Sequence, residues 1–185
     1  MTSLTDKIVA IHAALHEAEL PHAFGGALAL AWCTQRARGT IDIDVNVFVP
    51  PARVDDVLHA LPVHITHSPA DVQQLNSEGQ ARLWWDSTPI DLFLNTSEFH
   101  DAVATRARFE QFGGAEVPFL SCADLAVFKA MFDRTKDWAD LEEMHAAGTL
   151  DVERVIGTVA HYLGGDDARI ERLRSLVSAV NQTRG

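Results

Sequence analysis

Residues 24–49, FGGALALAWCTQRARGTIDIDVNVFV, constrain the fold of this chain more than any other stretch. A glycine pair, Gly25-Gly26, leads into an apolar segment. A run follows in which Asp42 and Asp44 alternate with Ile41, Ile43, Val45 and Val47. Alternation is the period of a β-strand, so both aspartates project from one face, their Cα atoms about 7 Å apart, while the aliphatic residues enter a core. Two carboxylates held that close repel each other unless a positive group stands between them. Mg²⁺ suits the place, because it takes one or two carboxylates and fills its other positions with waters and phosphate oxygens. A plainer reading stays open, in which the aspartates are the solvated face of a half-buried strand.

The rest of the chain is organised around that stretch. Leu4, Ile8, Ile11 and Leu15 recur at helical spacing behind Ser3 and Asp6, a capping-box pattern, and Pro21 ends that helix. Residues 22–24 read as a short strand, 27–34 as a helix apolar on nearly all sides, and 41–49 as the aspartate strand. Pro50-Pro51 opens a helix over 52–61. Residues 63–79 are ambiguous: 63–68 read as a strand and 69–79 as a helical turn and loop. Strands over 81–86 and 90–94, a helix over 97–107 and a hairpin of 108–112 with 116–120 around Gly113-Gly114 complete an α/β half. From Ser121 the period turns helical, with a second Ser-x-x-Asp cap at Ser121 and Asp124. The last helix carries Ile170, Leu173, Leu176, Val177 and Val180 on one face. The expected architecture is α/β (α+β): a mixed sheet flanked by helices in residues 1–120, and a helical region in 121–185 packed on that core.

Charge and apolar runs narrow the function. A net charge of −11 argues against a broad nucleic-acid-binding surface, which needs clustered Lys and Arg. The longest apolar run, Ala23 to Cys33, is 11 residues, too short to span a bilayer, so no membrane partner is expected. The N-terminus reads as an amphipathic helix, not a signal peptide. Cys33 and Cys122 sit in apolar segments without motif spacing and read as buried free thiols of a cytoplasmic protein.

A third carboxylate, Asp91, lies in the strand Ile90-Asp91-Leu92-Phe93-Leu94. If that strand pairs beside the first, Asp91 joins Asp42 and Asp44 on one face, the acidic cluster that two-metal phosphoryl transfer uses. Alone, Asp91 reads as an exposed strand residue after a turn. Gly25 and Gly26 precede a helix, whose free N–H groups and positive end favour anions, and without Cβ atoms the backbone lies open to phosphate. A tight turn made for packing explains a glycine pair equally well. Lys129 falls at the edge of an apolar stripe between Leu125 and Phe132, where it either runs out along its stem to water or points into a site. His12 and His16, four apart on the first helix, read as a solvated face; His64 and His67 lie in the uncertain stretch. Trp84 and Trp85 read as core rings, one of which could instead stack on a base.

Taken together, Gly25-Gly26, Arg38-x-Thr40-x-Asp42-x-Asp44, the strand with Asp91, and a tail of Asp124-Leu125, Lys129 and Arg134-x-Lys136-Asp137-x-x-Asp140-Leu141 resemble the DNA polymerase β-like nucleotidyltransferase superfamily. The likeness covers residues 22 to about 145. It is similar to small bacterial nucleotidyltransferases, including AbiE-type toxins of type IV toxin–antitoxin systems and minimal nucleotidyltransferases. The resemblance implies two Mg²⁺ ions held by Asp42, Asp44 and Asp91, with Asp91 also helping to deprotonate the acceptor. Gly25 and Gly26 would hold the triphosphate of an NTP such as ATP, with Arg38 and Thr40 close by. Lys129 would reach the triphosphate or leaving group, and Asp137 would orient Lys129 or Arg134. Many members carry serine at the second glycine position. Gly26 stands there in this chain, so phosphate contact would be through backbone alone.

The function so implied is Mg²⁺-dependent transfer of an NMP from an NTP to an acceptor hydroxyl. The acceptor of a toxin-like enzyme would be tRNA or protein, with a cognate antitoxin as partner. The alternatives are an aminoglycoside- or lincosamide-type antibiotic nucleotidyltransferase acting on a small molecule, and a catalytically silent nucleotide-binding module.

Overall fold

The computed structural model describes residues 2–183, and side chains through residue 176. In chain order the elements are helix α1 (Leu4–Glu17), strand β1 (His22–Phe24), α2 (Gly26–Thr34), β2 (Ile43–Val47), a 3-10 turn at Pro51–Arg53, α3 (Val54–Ala60), β3 (Ile65–Thr66), α4 (Pro69–Glu78), β4 (Gln80–Trp85) and β5 (Thr88–Leu94). There follow α5 (Glu98–Ala104), β6 (Arg108–Phe112), β7 (Ala115–Phe119), α6 (Cys122–Phe132), α7 (Thr135–Ala146), α8 (Val152–Leu163) and α9 (Ala168–Thr183). They fall into two compact units: Met1–Leu28 with Arg38–Leu120, and Ala29–Ala37 with Ser121–Gly185. The second unit thus takes the end of α2 as well as the C-terminal helices.

The first unit is built on a seven-stranded mixed sheet of order β3-β4-β5-β2-β1-β7-β6. β2 lies at its centre, antiparallel to β1 and parallel to β5. Alternation explains the central strands. Ala81, Leu83 and Trp85 of β4 and Ile90, Leu92 and Leu94 of β5 are buried, as are Ile43, Val45 and Val47 of β2. Ile8, Ile11 and Leu15 of α1 are fully buried by the i, i+3/i+4 stripe expected of them. Lys7, 4% exposed, fastens α1 to the β4–β5 turn. Its ammonium donates to the Trp85 carbonyl at 2.8 Å, Thr88 Oγ1 at 3.0 Å and Asp86 at 3.3 Å. In the uncertain stretch, Ser68 and Asp71 form a full capping box with Pro69 in the first turn, so 69–78 is a helix and only Ile65–Thr66 a strand.

Three expectations need correction. β2 begins at Ile43, so Asp42 stands on a bend before the strand, and Ile41 is 80% exposed instead of entering the core. The physical reason is local: the Thr40 hydroxyl lies 3.2 Å from the Asp42 carbonyl and also donates to the Asp42 carboxylate, folding the backbone back before the ladder starts. The two cysteines are not free thiols. Cys33, near the end of α2, and Cys122, the first residue of α6, form a disulfide with Cα atoms 5.5 Å apart. The cytoplasmic expectation loses the support it drew from reduced thiols. Among the described residues no helix is long and apolar enough to cross a membrane. Val177 and Val180 lie outside the described side chains.

At the far end of β1 from the glycine pair, His22 is buried and shares a hydrogen bond with His12 at 2.9 Å. Its Nδ1 lies 2.7 Å from the Leu20 carbonyl, which only accepts, so Nδ1 carries the proton and Nε2 accepts from His12 Nδ1. Burial, helped by the neighbouring imidazoles, pushes the His22 pKa down to about 4. Below pH 6.5 the unfolded chain takes up a proton that the folded chain refuses. The stability this imidazole contributes is therefore full above pH 6.5 and is lost as pH falls from 6.5 to 4, by about 3 kcal/mol. Denaturant unfolding at pH 7 and pH 4.5 should show that loss, and His22→Phe should flatten the slope. Equal slopes in the two proteins would contradict it.

Candidate active site

The parallel pairing of β2 with β5 sets Asp44 directly beside Asp91, and the antiparallel pairing of β5 with β4 sets Arg82 beside Asp91. Residues in register share a face, so Arg82, Asp91 and Asp44 form one row across three strands. Asp42 lies one pleat before Asp44, on the bend. All three aspartates are half-buried.

A cation of the chain itself stands on this face. Arg82 holds Asp91 through a two-pronged contact, Nε to Oδ1 and Nη2 to Oδ2, each 2.7 Å. Hydrogen bonding to Asp91 raises the Arg82 pKa above the ordinary arginine value, and the charges of Asp91, Asp42 and Asp44 add to the shift. Sequence reasoning missed Arg82, because it ended the first strand at Asp86 and began the second at Ile90. A two-residue turn at Asp86-Ser87 pairs Trp85 with Thr88, and counting back along the ladder reaches Arg82 and Asp91.

The glycine pair is joined to the same face. Gly25 N–H donates to the Asp44 carbonyl at 2.9 Å, extending the β1–β2 ladder into the turn. Gly26 opens α2 with φ of +55°, and a Cβ placed on it would come within 1.9 Å of Asp44 Oδ2. The start of α2 and the Asp44 carboxylate therefore touch, and only a hydrogen at Gly26 lets them. Gly26→Ala must move the carboxylate and strain the backbone. Any activity that depends on this constellation should drop about a hundredfold, the scale of a 1 Å misplacement among reacting groups. Steady-state kinetics beside a thermal melt would check it, since a large activity loss with retained folding is expected.

Thr40 is half-buried and spends its hydroxyl on Asp42, whereas Arg38 is exposed on the connection between α2 and β2. Trp84 faces outward on β4, two residues from Arg82 on the same side, and is 43% exposed; Trp85 is buried.

Lys129 belongs to the second unit. On α6 its ammonium is buried, donating to Asp140 Oδ2 at 2.5 Å with Asp137 Oδ1 at 3.6 Å, both on α7. Arg134 grips Asp137 from the other side, at 2.6 and 3.2 Å. Asp137 is 1% exposed and Asp140 6%. Removing the lysine charge takes a buried cation away from two buried carboxylates. Lys129→Met is expected to destabilise the protein by about 3–5 kcal/mol, read by denaturant titration. A near-neutral change would contradict this bonding.

Mg²⁺ fits part of this donor set. Among the described residues no three His, Cys, Asp or Glu side chains form a complete metal cage. The Asp91 oxygens, which such a cage would use, lie in the grip of Arg82. Asp42 and Asp44 are the one or two carboxylates that Mg²⁺ would take beside substrate phosphates, and Asp44 lies against the start of α2 at Gly26.

No family model and no curated protein sequence matches this chain. Solved structures do match. The solution structure of the antibiotic-resistance factor ANT(2'')-Ia superposes with a TM-score of 0.57 at 16% identity, covering 97% of this chain and 96% of that one. The crystal structure of ANT(2'')-Ia in complex with adenylyl-2''-tobramycin gives 0.55 at 15%, covering 98% of each. At such identities the likeness speaks to architecture: a seven-stranded mixed sheet with flanking helices, followed end to end. The chain has the nucleotidyltransferase fold.

Proposed function

We propose that this chain is a Mg²⁺-dependent nucleotidyltransferase that moves an NMP from an NTP onto an acceptor hydroxyl. The observation that carries the reading is the contact between Gly26 and Asp44, beside Asp91 in register. The start of α2 and a paired-carboxylate face are thereby one site. Asp42 and Asp44 would hold the metal, which supplies charge neutralisation at the triphosphate and lowers the cost of ionising the acceptor. The α2 N-terminus, through the backbone at Gly25 and Gly26, would cradle the phosphates. Asp91 would take the proton of the acceptor hydroxyl as its oxygen bonds to the α-phosphorus and the α–β phosphoanhydride bond breaks, releasing pyrophosphate. Positioning carries most of the rate in such a transfer, which is why the glycine contact matters as much as the carboxylates. Arg38 is a proposed phosphate contact; the Lys129 ammonium stays with Asp140 and Asp137 in the second unit.

For the acceptor, the net charge of −11 favours a small polycation over tRNA, which an acidic protein repels. A cationic amino sugar is accordingly proposed ahead of the toxin-like reading. ANT(2'')-Ia, seen with adenylyl-2''-tobramycin, agrees with that order. Incubation with Mg²⁺, each α-labelled NTP and either tobramycin, total tRNA or total protein tests both levels. Label on the amino sugar with equimolar pyrophosphate is the expected result. Label on tRNA or protein would restore the toxin-like acceptor, and NTP binding without transfer to any of the three would make the chain a silent nucleotide-binding module.

A further inference from the structure

We propose that Arg82 is the built-in stand-in for the metal: its guanidinium neutralises the carboxylate row in the unloaded protein, holds Asp91 in place, and yields that position when the divalent cation arrives. The inference rests on the proposed metal site and adds a positioning residue to it.

Three observations carry it. The row of Asp44 and Asp91, with Asp42 one pleat away, is a concentration of like charge that no fold keeps without compensation. Arg82 is the in-register neighbour of Asp91 and meets it in the planar, two-pronged geometry that is strongest for a carboxylate, at 2.7 Å on both oxygens. The Arg82 side chain is 52% exposed while Asp91 is 22% exposed, so the guanidinium covers the carboxylate from the solvent side, where substrate must arrive. A half-exposed arginine on a strand face is free to swing without disturbing the core behind Leu83 and Trp85. Removing its contact exposes both Asp91 oxygens to a metal or to an acceptor hydroxyl, and the released guanidinium keeps donors suited to a phosphate oxygen.

Competition of this kind has a signature that an ordinary surface ion pair lacks. Calorimetric titration of Mn²⁺ into wild type, Arg82→Ala, Arg82→Lys and Asp44→Ala, without nucleotide, reads it directly. Arg82→Ala removes a positive charge next to the site, so its Mn²⁺ affinity should rise about tenfold, the scale of a charge pair a few ångströms apart at a half-exposed position. Arg82→Lys keeps the charge but loses the fork, and should fall between the two. In EDTA the Arg82→Ala protein should melt below wild type, and excess Mn²⁺ should close the gap.

Two results would overturn the proposal, and they are distinguishable. If Arg82→Ala binds Mn²⁺ no more tightly than wild type while Asp44→Ala loses binding, the metal site stands and Arg82 is only a strand-face ion pair. If Asp44→Ala binds Mn²⁺ as wild type does, the metal site itself is elsewhere and the role of Arg82 falls with it.

Discussion

Replacing Asp44 by Asn is expected to lower NMP transfer about a thousandfold or more while leaving the protein folded. Asp44 is the hub of the site: its carboxylate touches the start of α2 at Gly26, its backbone carbonyl accepts from Gly25, and its strand neighbour is Asp91. The substitution keeps the shape and the backbone hydrogen bond, and removes one negative charge from a crowded face. A metal-organised transition state worth several kcal/mol disappears, and each 1.36 kcal/mol is a factor of ten in rate. Stability should move the other way or not at all, because relieving like-charge repulsion at a functional site commonly stabilises. Single-turnover kinetics with a thermal melt on the same sample separate the two. Loss of activity with loss of folding would assign Asp44 a structural role.

Reducing the Cys33–Cys122 bond is expected to cost about 4–5 kcal/mol of stability. The bond closes a loop of 89 residues in sequence, and the chain-entropy cost that such a crosslink removes from the unfolded state grows with the logarithm of the loop. For a chain of this length that corresponds to a fall of roughly 10–15 °C in melting temperature. Cys33→Ser with Cys122→Ser should reproduce the melt of the reduced protein and be insensitive to reductant. A melt unchanged by complete reduction, verified by thiol counting, would show that these helices hold without the crosslink. Since α2 starts at Gly26 and carries Cys33 one residue before its end, activity measured before and after reduction also reads how far the phosphate turn depends on that helix.

How much of this was legible before the structure depends on whether the signal was local. The alternation of β4 and β5, the stripe of α1 and the glycine turn of the β6–β7 hairpin are local patterns, and the elements formed where the patterns lay. The aspartate strand was legible in kind but not in extent. A Thr40 hydroxyl bonded to Asp42 takes that residue out of the ladder, and hydrophobic periodicity does not register a side chain capping its own backbone. Residues 69–79 read as a helical turn and loop; the capping box at Ser68 and Asp71 opens a full helix there, whose length their low hydrophobicity hid. The disulfide was illegible because its partners lie far apart with no spacing rule to join them. Arg82 lies between these cases: the two strands were read, but with the turn placed at 87–89 instead of Asp86-Ser87, and that displaced register sets Arg82 away from Asp91. Asp137 and Asp140 stand three apart on α7, a spacing that places both toward one partner, and Lys129 is that partner.

The central claim is that the carboxylate face and the glycine turn bind an NTP together, through a divalent metal. Titration of ATP, GTP, CTP and UTP into the protein, in Mg²⁺ and again in EDTA, tests it most directly, with Asp42→Asn and Asp44→Asn alongside. The account predicts saturable binding of at least one nucleotide in Mg²⁺ that vanishes in EDTA and in both variants. Binding of equal strength with and without metal, or undiminished by either substitution, would contradict it.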